Sequence, residues 1–256
     1  MIDKNDLQAW DRPYLSVAGG DAELIYAVFG DFPQALHPSL SEYRTAGLPS
    51  GVELTAYPRD IHAEFVASFH QDWQGQSLRS DDPALFNAVE RAPTCLLLRG
   101  RVADPATLLY LRDTVGVLTA LLESGGVAVL DVQALTWFSP RQWRERMFEP
   151  NAPVPTHHVS LLLSPESQEG HVWVHTRGMR KFGRPDLSIH SVVPDYQDGC
   201  IDLCNRFITM MACGGQVPEG QAVRMGGLPE GMVCHHRGDY DDPDFNNVHL
   251  EVTQPA

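Results

Sequence analysis

Apolar and polar positions alternate along this chain in two rhythms, one suited to strands and one to helices. Leu24–Phe29 is a near-continuous apolar run between Asp21 and Gly30-Asp31, which predicts a buried strand. Val52–Tyr57 alternates weakly and reads as a second strand, while Ala63–His70 fits strand and helix alike. Pro83–Arg91 reads as a short helix with Asp82 as its N-cap. Thr94–Leu98 is a strand, and Asp104-Pro105 then opens the clearest helix, Ala106–Ser124. Its Leu108, Leu111, Val115, Leu118 and Leu122 recur at three- and four-residue spacing and make one apolar face. Gly125-Gly126 ends it, and Val127–Leu130 follows as a strand. Ser139-Pro140 starts a short helix through Met147.

Asn151–Pro155, with two prolines, is a linker or loop. His157–Leu163 and His171–Thr176 then read as paired strands, and Leu187–Val193 as another. A second long helix spans Asp198–Cys213, with Cys200, Cys204, Phe207, Ile208 and Met211 on one face. Three short strands are expected near residues 221–225, 231–235 and 248–253. The pattern predicts an α+β protein with a mixed or mostly antiparallel sheet and two main helices packed on it. An N-terminal subdomain over residues 1–92 and a main domain over 93–256 are expected, or one continuous domain.

Charge narrows the function. The 256 residues carry 33 Asp and Glu against 19 Lys and Arg, a formal net charge of −14. That balance disfavours nucleic acid and anionic membranes as partners. Residues 1–20 lack the cationic start and apolar core of a signal peptide, and no apolar run reaches the ~18 residues of a spanning helix. Five cysteines are odd in number and sparse for this length, so reduced thiols in a cytoplasm are expected.

Against the acidic background, four basic residues fall within eight positions: Arg177, Arg180, Lys181 and Arg184. Thr176 is expected to N-cap a one-turn helix whose Met179 and Phe182 face inward, with Gly183 in a left-handed C′ position and Pro185 ending it. Backbone N–H groups at its start, beside Arg177, Arg180 and Lys181, would suit an anion. The bland alternative has Met179 and Phe182 in the core and the basic residues paired with the acidic turn 239–244.

Other motifs reduce to structure. His171 and His175 stand at a zinc-pair spacing for a helix, but on a strand they lie roughly 13 Å apart, too far for one metal ion. On strands His157-His158 and His235-His236 each offer at most one ring to a common site, so they read as ordinary strand histidines, with a cluster of one from each doublet and His175 as the alternative. Cys200 and Cys204 share their helix face with Phe207 and Ile208 and read as buried thiols. Asp239–Asp244 lacks the glycine and the closing glutamate of a calcium loop. No nucleophile elbow or nucleotide-binding glycine loop is present. Neither a metal nor a cofactor is expected.

The string His175-Thr-Arg-Gly-Met-Arg-Lys-Phe-Gly-Arg-Pro-Asp186 resembles the signature of an uncharacterised bacterial domain family, with its Thr-x-Gly-[Leu/Met]-x-x-Phe-Gly-x-Pro-[Asp/Glu] core. The resemblance covers about Thr94–Thr253. It implies a bacterial, cytoplasmic α+β protein and carries no known activity or catalytic residue. Two functions stay open. One is a non-catalytic binding or interaction protein, of accessory or immunity type, whose acidic surface suits a basic protein partner. The other is an enzyme acting on a small anionic substrate, with His175, Arg177, His235, His236 and Asp239 converging. Candidate binding residues are His175, Arg177, Arg180, Lys181, His235, His236 and Asp239.

Overall fold

The computed structural model describes residues 10–32 and 38–253. The chain forms two compact units. The first is built from Glu23–Pro153 with the segment up to Asp11, and the second from Arg12–Ala22 with the chain from Val154 onward. Each unit holds its own five-stranded sheet, where the sequence suggested a single one. The units part inside the proline-bearing stretch 151–155, while residue 92 lies within the first unit.

The first unit contains β1 (Ala22–Gly30), α1 (Leu40–Tyr43), β2 (Val52–Pro58), α2 (Ala63–Ser68), α3 (Trp73–Asp81), α4 (Pro83–Arg91), β3 (Thr94–Val102), α5 (Leu109–Glu123), β4 (Gly126–Asp131), β5 (Thr136–Phe138) and α6 (Pro140–Trp143). A single π-helical turn, Arg144–Phe148, prolongs α6. The strand order is β2-β3-β1-β4-β5, with β1 in the middle and buried along almost its whole length. That is what its unbroken apolar run requires. Ala27 and Phe29 pack into one cluster with Leu85, Phe86 and Val89 of α4 and with Ala128 and Leu130 of β4. Asp82 fixes the start of α4 by accepting the Leu85 N–H at 2.9 Å. On the other side, Tyr26 meets Trp143 edge-to-face at 6.1 Å. The Trp143 indole donates to Thr119 Oγ1 at 3.0 Å and ties α6 to α5.

α5 is buried on nearly every side, from Tyr110 to Leu122. Its two buried threonines return their hydroxyls to the backbone, Thr114 to Tyr110 O and Thr119 to Val115 O, both at 2.8 Å. These bonds let hydroxyl groups sit in an apolar interior at little cost. The helix begins three residues later than expected, at Leu109 with Leu108 in the cap position, so Asp104 does not cap it. α3 was not foreseen, and the ambiguous 63–70 stretch is helical.

The second unit holds β6 (Ser160–Pro165), β7 (Val172–Arg177), β8 (Asp186–Val192), α7 (Pro194–Ala212), β9 (Val233–Arg237) and β10 (His249–Thr253), in the order β6-β7-β8-β10-β9. All its pairings are antiparallel except β8 with β10. α7 lies on β7 and β8. It buries Cys200, Leu203, Cys204, Ile208 and Met211 along one stripe. Pro194 in its first turn sets a start four residues earlier than expected. Strand alternation gives α7 the face carrying Val174 and leaves Trp173, His175 and Arg177 on the other. No helix among the described residues covers that second face. The expected strand at 221–225 is a lone bridge between Ala222 and Val233, and His157 sits in a 3-10 turn rather than a strand. No helix among the described residues is long and apolar enough to cross a membrane.

All five cysteines are reduced, and Cys95, Cys200, Cys204 and Cys234 are buried. Burial pushes the Cys200 thiol up to about 11 and raises Cys204 further still. Only Cys213 is partly exposed. Native protein treated with a disulfide reagent at neutral pH should therefore release at most one equivalent of thiol promptly, and five after denaturation. Prompt reaction of two or more would contradict this packing.

Candidate functional site

The basic stretch between β7 and β8 is built around a carboxylate. After Arg177 the chain turns at Gly178 (φ 117°) and forms a 3-10 turn, Met179–Phe182. It leaves through Gly183 (φ 63°) and Pro185 into β8. Met179 and Phe182 are fully buried, as their spacing indicated. Asp186 is buried beneath this turn. Its Oδ1 accepts the Thr176 hydroxyl at 2.9 Å and the Met179 N–H at 3.2 Å, and its Oδ2 accepts Asn247 Nδ2 at 2.8 Å. Thr176 Oγ1 in turn accepts the Leu187 N–H at 2.8 Å. Thr176 therefore does not cap the turn, whose cap position is Gly178. The anion at the start of this turn is the chain's own Asp186, so the expected anion site there is already filled. Burial raises the Asp186 pKa to about 6, against the lowering effect of its three donors and of Arg177.

The four basic residues have separate fates. Lys181 is fully buried, which removes it from any surface site. Arg184 is also buried and donates to the carbonyls of Gly183 at 2.9 Å and Gly214 at 3.3 Å. Arg180 reaches the acidic turn, where it bonds the Asn246 and Tyr240 carbonyls and lies 4.8 Å over the Tyr240 ring. Arg177 stands on the sheet face away from α7.

Arg180 and Arg184 border a cleft of about 310 Å³ in the second unit, with Gly20, His236, Tyr240 and Asn247 on its walls. His236 Nε2 is held by the Val217 carbonyl at 2.8 Å. Glu219 grips the histidine doublet, one oxygen on His235 Nδ1 and the other on the His236 N–H, both at 2.7 Å. Asp239 serves its own turn by accepting the Asp241 N–H at 2.9 Å.

His175 and His236 do not meet. Their strands β7 and β9 are separated by β8 and β10, roughly 14 Å at ~4.8 Å per strand, and the two rings face opposite sides of the sheet. The structure thus brings Arg180 and His236 to one cleft. It leaves His175 and Arg177 together elsewhere, and places His235 and Asp239 with neither pair.

His175 and Arg177 belong to a ring cluster that the sequence did not reveal. Trp173 is stacked between His175 (3.7 Å, 15°) and His190 (5.0 Å, 6°). Its indole donates to Ser188 Oγ at 2.9 Å. Phe245 lies edge-on to Trp173 and His175 and stacks on His249 at 4.4 Å. His175 Nε2 meets Ser164 Oγ at 3.1 Å. Burial, then the charges of Arg177 and His190, lowers its pKa to about 4, so the ring is neutral at pH 7. Alternation in Trp173-x-His175-x-Arg177 was a readable signal for one shared strand face. His190, Phe245 and His249 arrive from distant positions and carried none. Among the described residues no group of three or more His, Cys, Asp or Glu is arranged to hold a metal ion. No protein-family model, curated protein or solved structure matches the chain.

Proposed function

We propose that the protein is a non-catalytic binding protein whose second unit takes a small anionic ligand in the cleft beside Arg180. The observation that carries this reading is the convergence of two arginines and a histidine on one concavity of about 310 Å³. That volume lies at the lower end for small-molecule sites. Met211, Val217 and Pro185 give the cleft apolar walls. Such a mixture of apolar surface and a few fixed polar groups is what holds and orients a small ligand. The binding reading is preferred because the side chains with acid–base chemistry are engaged structurally: His236 with a carbonyl, His235 with Glu219 and Asp239 with its turn.

Inorganic phosphate is a direct probe. Titrated at constant ionic strength, it should shift the backbone amide resonances of Gly20, Gly183, Val217 and Asn247 saturably. Arg180→Ala should weaken that binding about tenfold, ~1.4 kcal/mol. Shifts that never saturate, or that are unchanged in the variant, would end the proposal.

A further inference from the structure

Arg177 differs from its basic neighbours in that its side chain has no hydrogen bond to any described residue. Its Nε is buried without a hydrogen bond, and so is His175 Nδ1, whereas His249 Nδ1 lies 3.7 Å from Asp242 Oδ2. All three belong to side chains gathered around one ring, Phe245. The Arg177 guanidinium lies 5.0 Å over that ring, His249 stacks on it and His175 meets it edge-on. Buried polar atoms are nearly always satisfied, so a guanidinium that lies over Phe245 without a hydrogen bond calls for a partner from outside the chain. His175 itself is only 3% exposed. The terminal nitrogens of Arg177 are not among the sealed atoms, and the residue as a whole is partly exposed. A guanidinium held by its stem and ring contact, with both ends unbonded, is set for two parallel bonds to an oxyanion.

The surroundings choose among oxyanions. Asp186, Asp242 and Asp244 all act electrostatically on Arg177. Asp186 has its oxygens taken by Thr176, Met179 and Asn247, and Asp242 Oδ1 accepts the N–H groups of Asp244 and Phe245. Three carboxylates so close to one cation penalise a dianion more than a monoanion. The half-buried indole of Trp173 lies 5.7 Å from Phe245, with His175 and His190 stacked on it.

We infer that Arg177, with the Trp173–His175 stack and Phe245 beside it, forms a second binding site, specific for a monocarboxylate. The site is independent of the cleft beside Arg180 and does not rest on that reading.

Benzoate tests it on the whole chain by NMR, with benzamide as its neutral isostere and inorganic phosphate as the dianion. Benzoate should move the Trp173 indole N–H and the Arg177 Nε–H resonances saturably, and benzamide and phosphate should not. Arg177→Lys keeps the charge but loses the fork, and should weaken benzoate binding at least about tenfold. Arg177→Met should abolish the shifts while the remaining spectrum stays folded. If that variant does not fold, the lysine variant and the wild-type titration decide. The proposal is overturned if benzoate gives no saturable shift or if benzamide matches it. It is equally overturned if phosphate binds these groups as well as benzoate does, or if Arg177→Lys leaves affinity unchanged. Benzoate shifts confined to the Gly20, Gly183 and Val217 amides would also overturn it, and would assign the carboxylate to the cleft instead.

Discussion

Asp186→Ala should destabilise the second unit by about 3–5 kcal/mol, the range for removing one member of a buried charged network. The substitution strands three buried donors at once: the Thr176 hydroxyl, the Met179 N–H and one N–H of the Asn247 amide, whose other bond goes to the Arg184 carbonyl at 3.0 Å. Each stranded donor costs about 1–3 kcal/mol, and the costs overlap because the donors share one acceptor. Trp173 is the one tryptophan of the second unit, so its indole resonance followed through a urea titration reports that unit alone. A midpoint within error of the wild type would refute the assignment of Asp186 as the anchor of the turn.

The same residue makes a signed pH prediction. Its folded pKa of about 6 lies above the ordinary aspartate value. The folded state therefore holds a proton that the unfolded chain has released. The resulting stability is fully present below pH ~4 and is lost as pH rises through ~6, about 3 kcal/mol in total. His175 works in the opposite direction over this window, because its folded pKa of about 4 lies below the usual histidine value. The informative quantity is thus the difference between wild type and Asp186→Asn, which should shrink or change sign between pH 4 and 7. A difference that stays flat over that range would show that Asp186 is not raised.

Gly183→Val should be comparably damaging, for a reason of backbone rather than charge. Gly183 has φ 63°, and a Cβ there would sit 1.9 Å from the Gly20 carbonyl oxygen. A β-branched residue in the left-handed region costs about 1–3 kcal/mol. Displacing fixed backbone adds about as much again. Gly170→Ala supplies the contrast. It also has positive φ (78°), but nothing lies within 4 Å of its Cβ position. Its cost should stay near ~1 kcal/mol, so thermal melts of the two variants separate conformational strain from collision. Similar melting temperatures would mean that the Gly20–Gly183 approach is not tight.

Local chemistry explains which features were legible. The Met179, Phe182, Gly183 and Pro185 spacing declared a closed turn, because each residue there answers a short-range demand. Asp82-Pro83 declared the start of α4 in the same way. Asp186 stands at the end of the His175–Asp186 string but at the centre of the turn, and the string cannot show this because the carboxylate's partners include Asn247, 61 residues on. The same limit hid the site chemistry. Arg177, Arg180, Lys181 and Arg184 look alike as a charge cluster, and their difference lies in what the distant segments 214–218 and 240–247 bring to each. Lys181 shows this most plainly, because nothing in its neighbours predicts complete burial. The division into two sheets was also out of reach, because strand patterns give faces but not sheet membership.

The position of β10 has consequences for how the molecule is made. β10 joins β8 to β9, and among the described residues β9 has beside it otherwise only the Ala222–Val233 bridge. The second unit also draws on residues 12–22. Its sheet therefore stays open while the ribosome passes residues 193 to 248, with the inner edge of β8 unpaired and available to other chains. A nascent chain stalled before His249 would present that edge, so late synthesis rather than early collapse is the interval in which this protein most needs protection from aggregation.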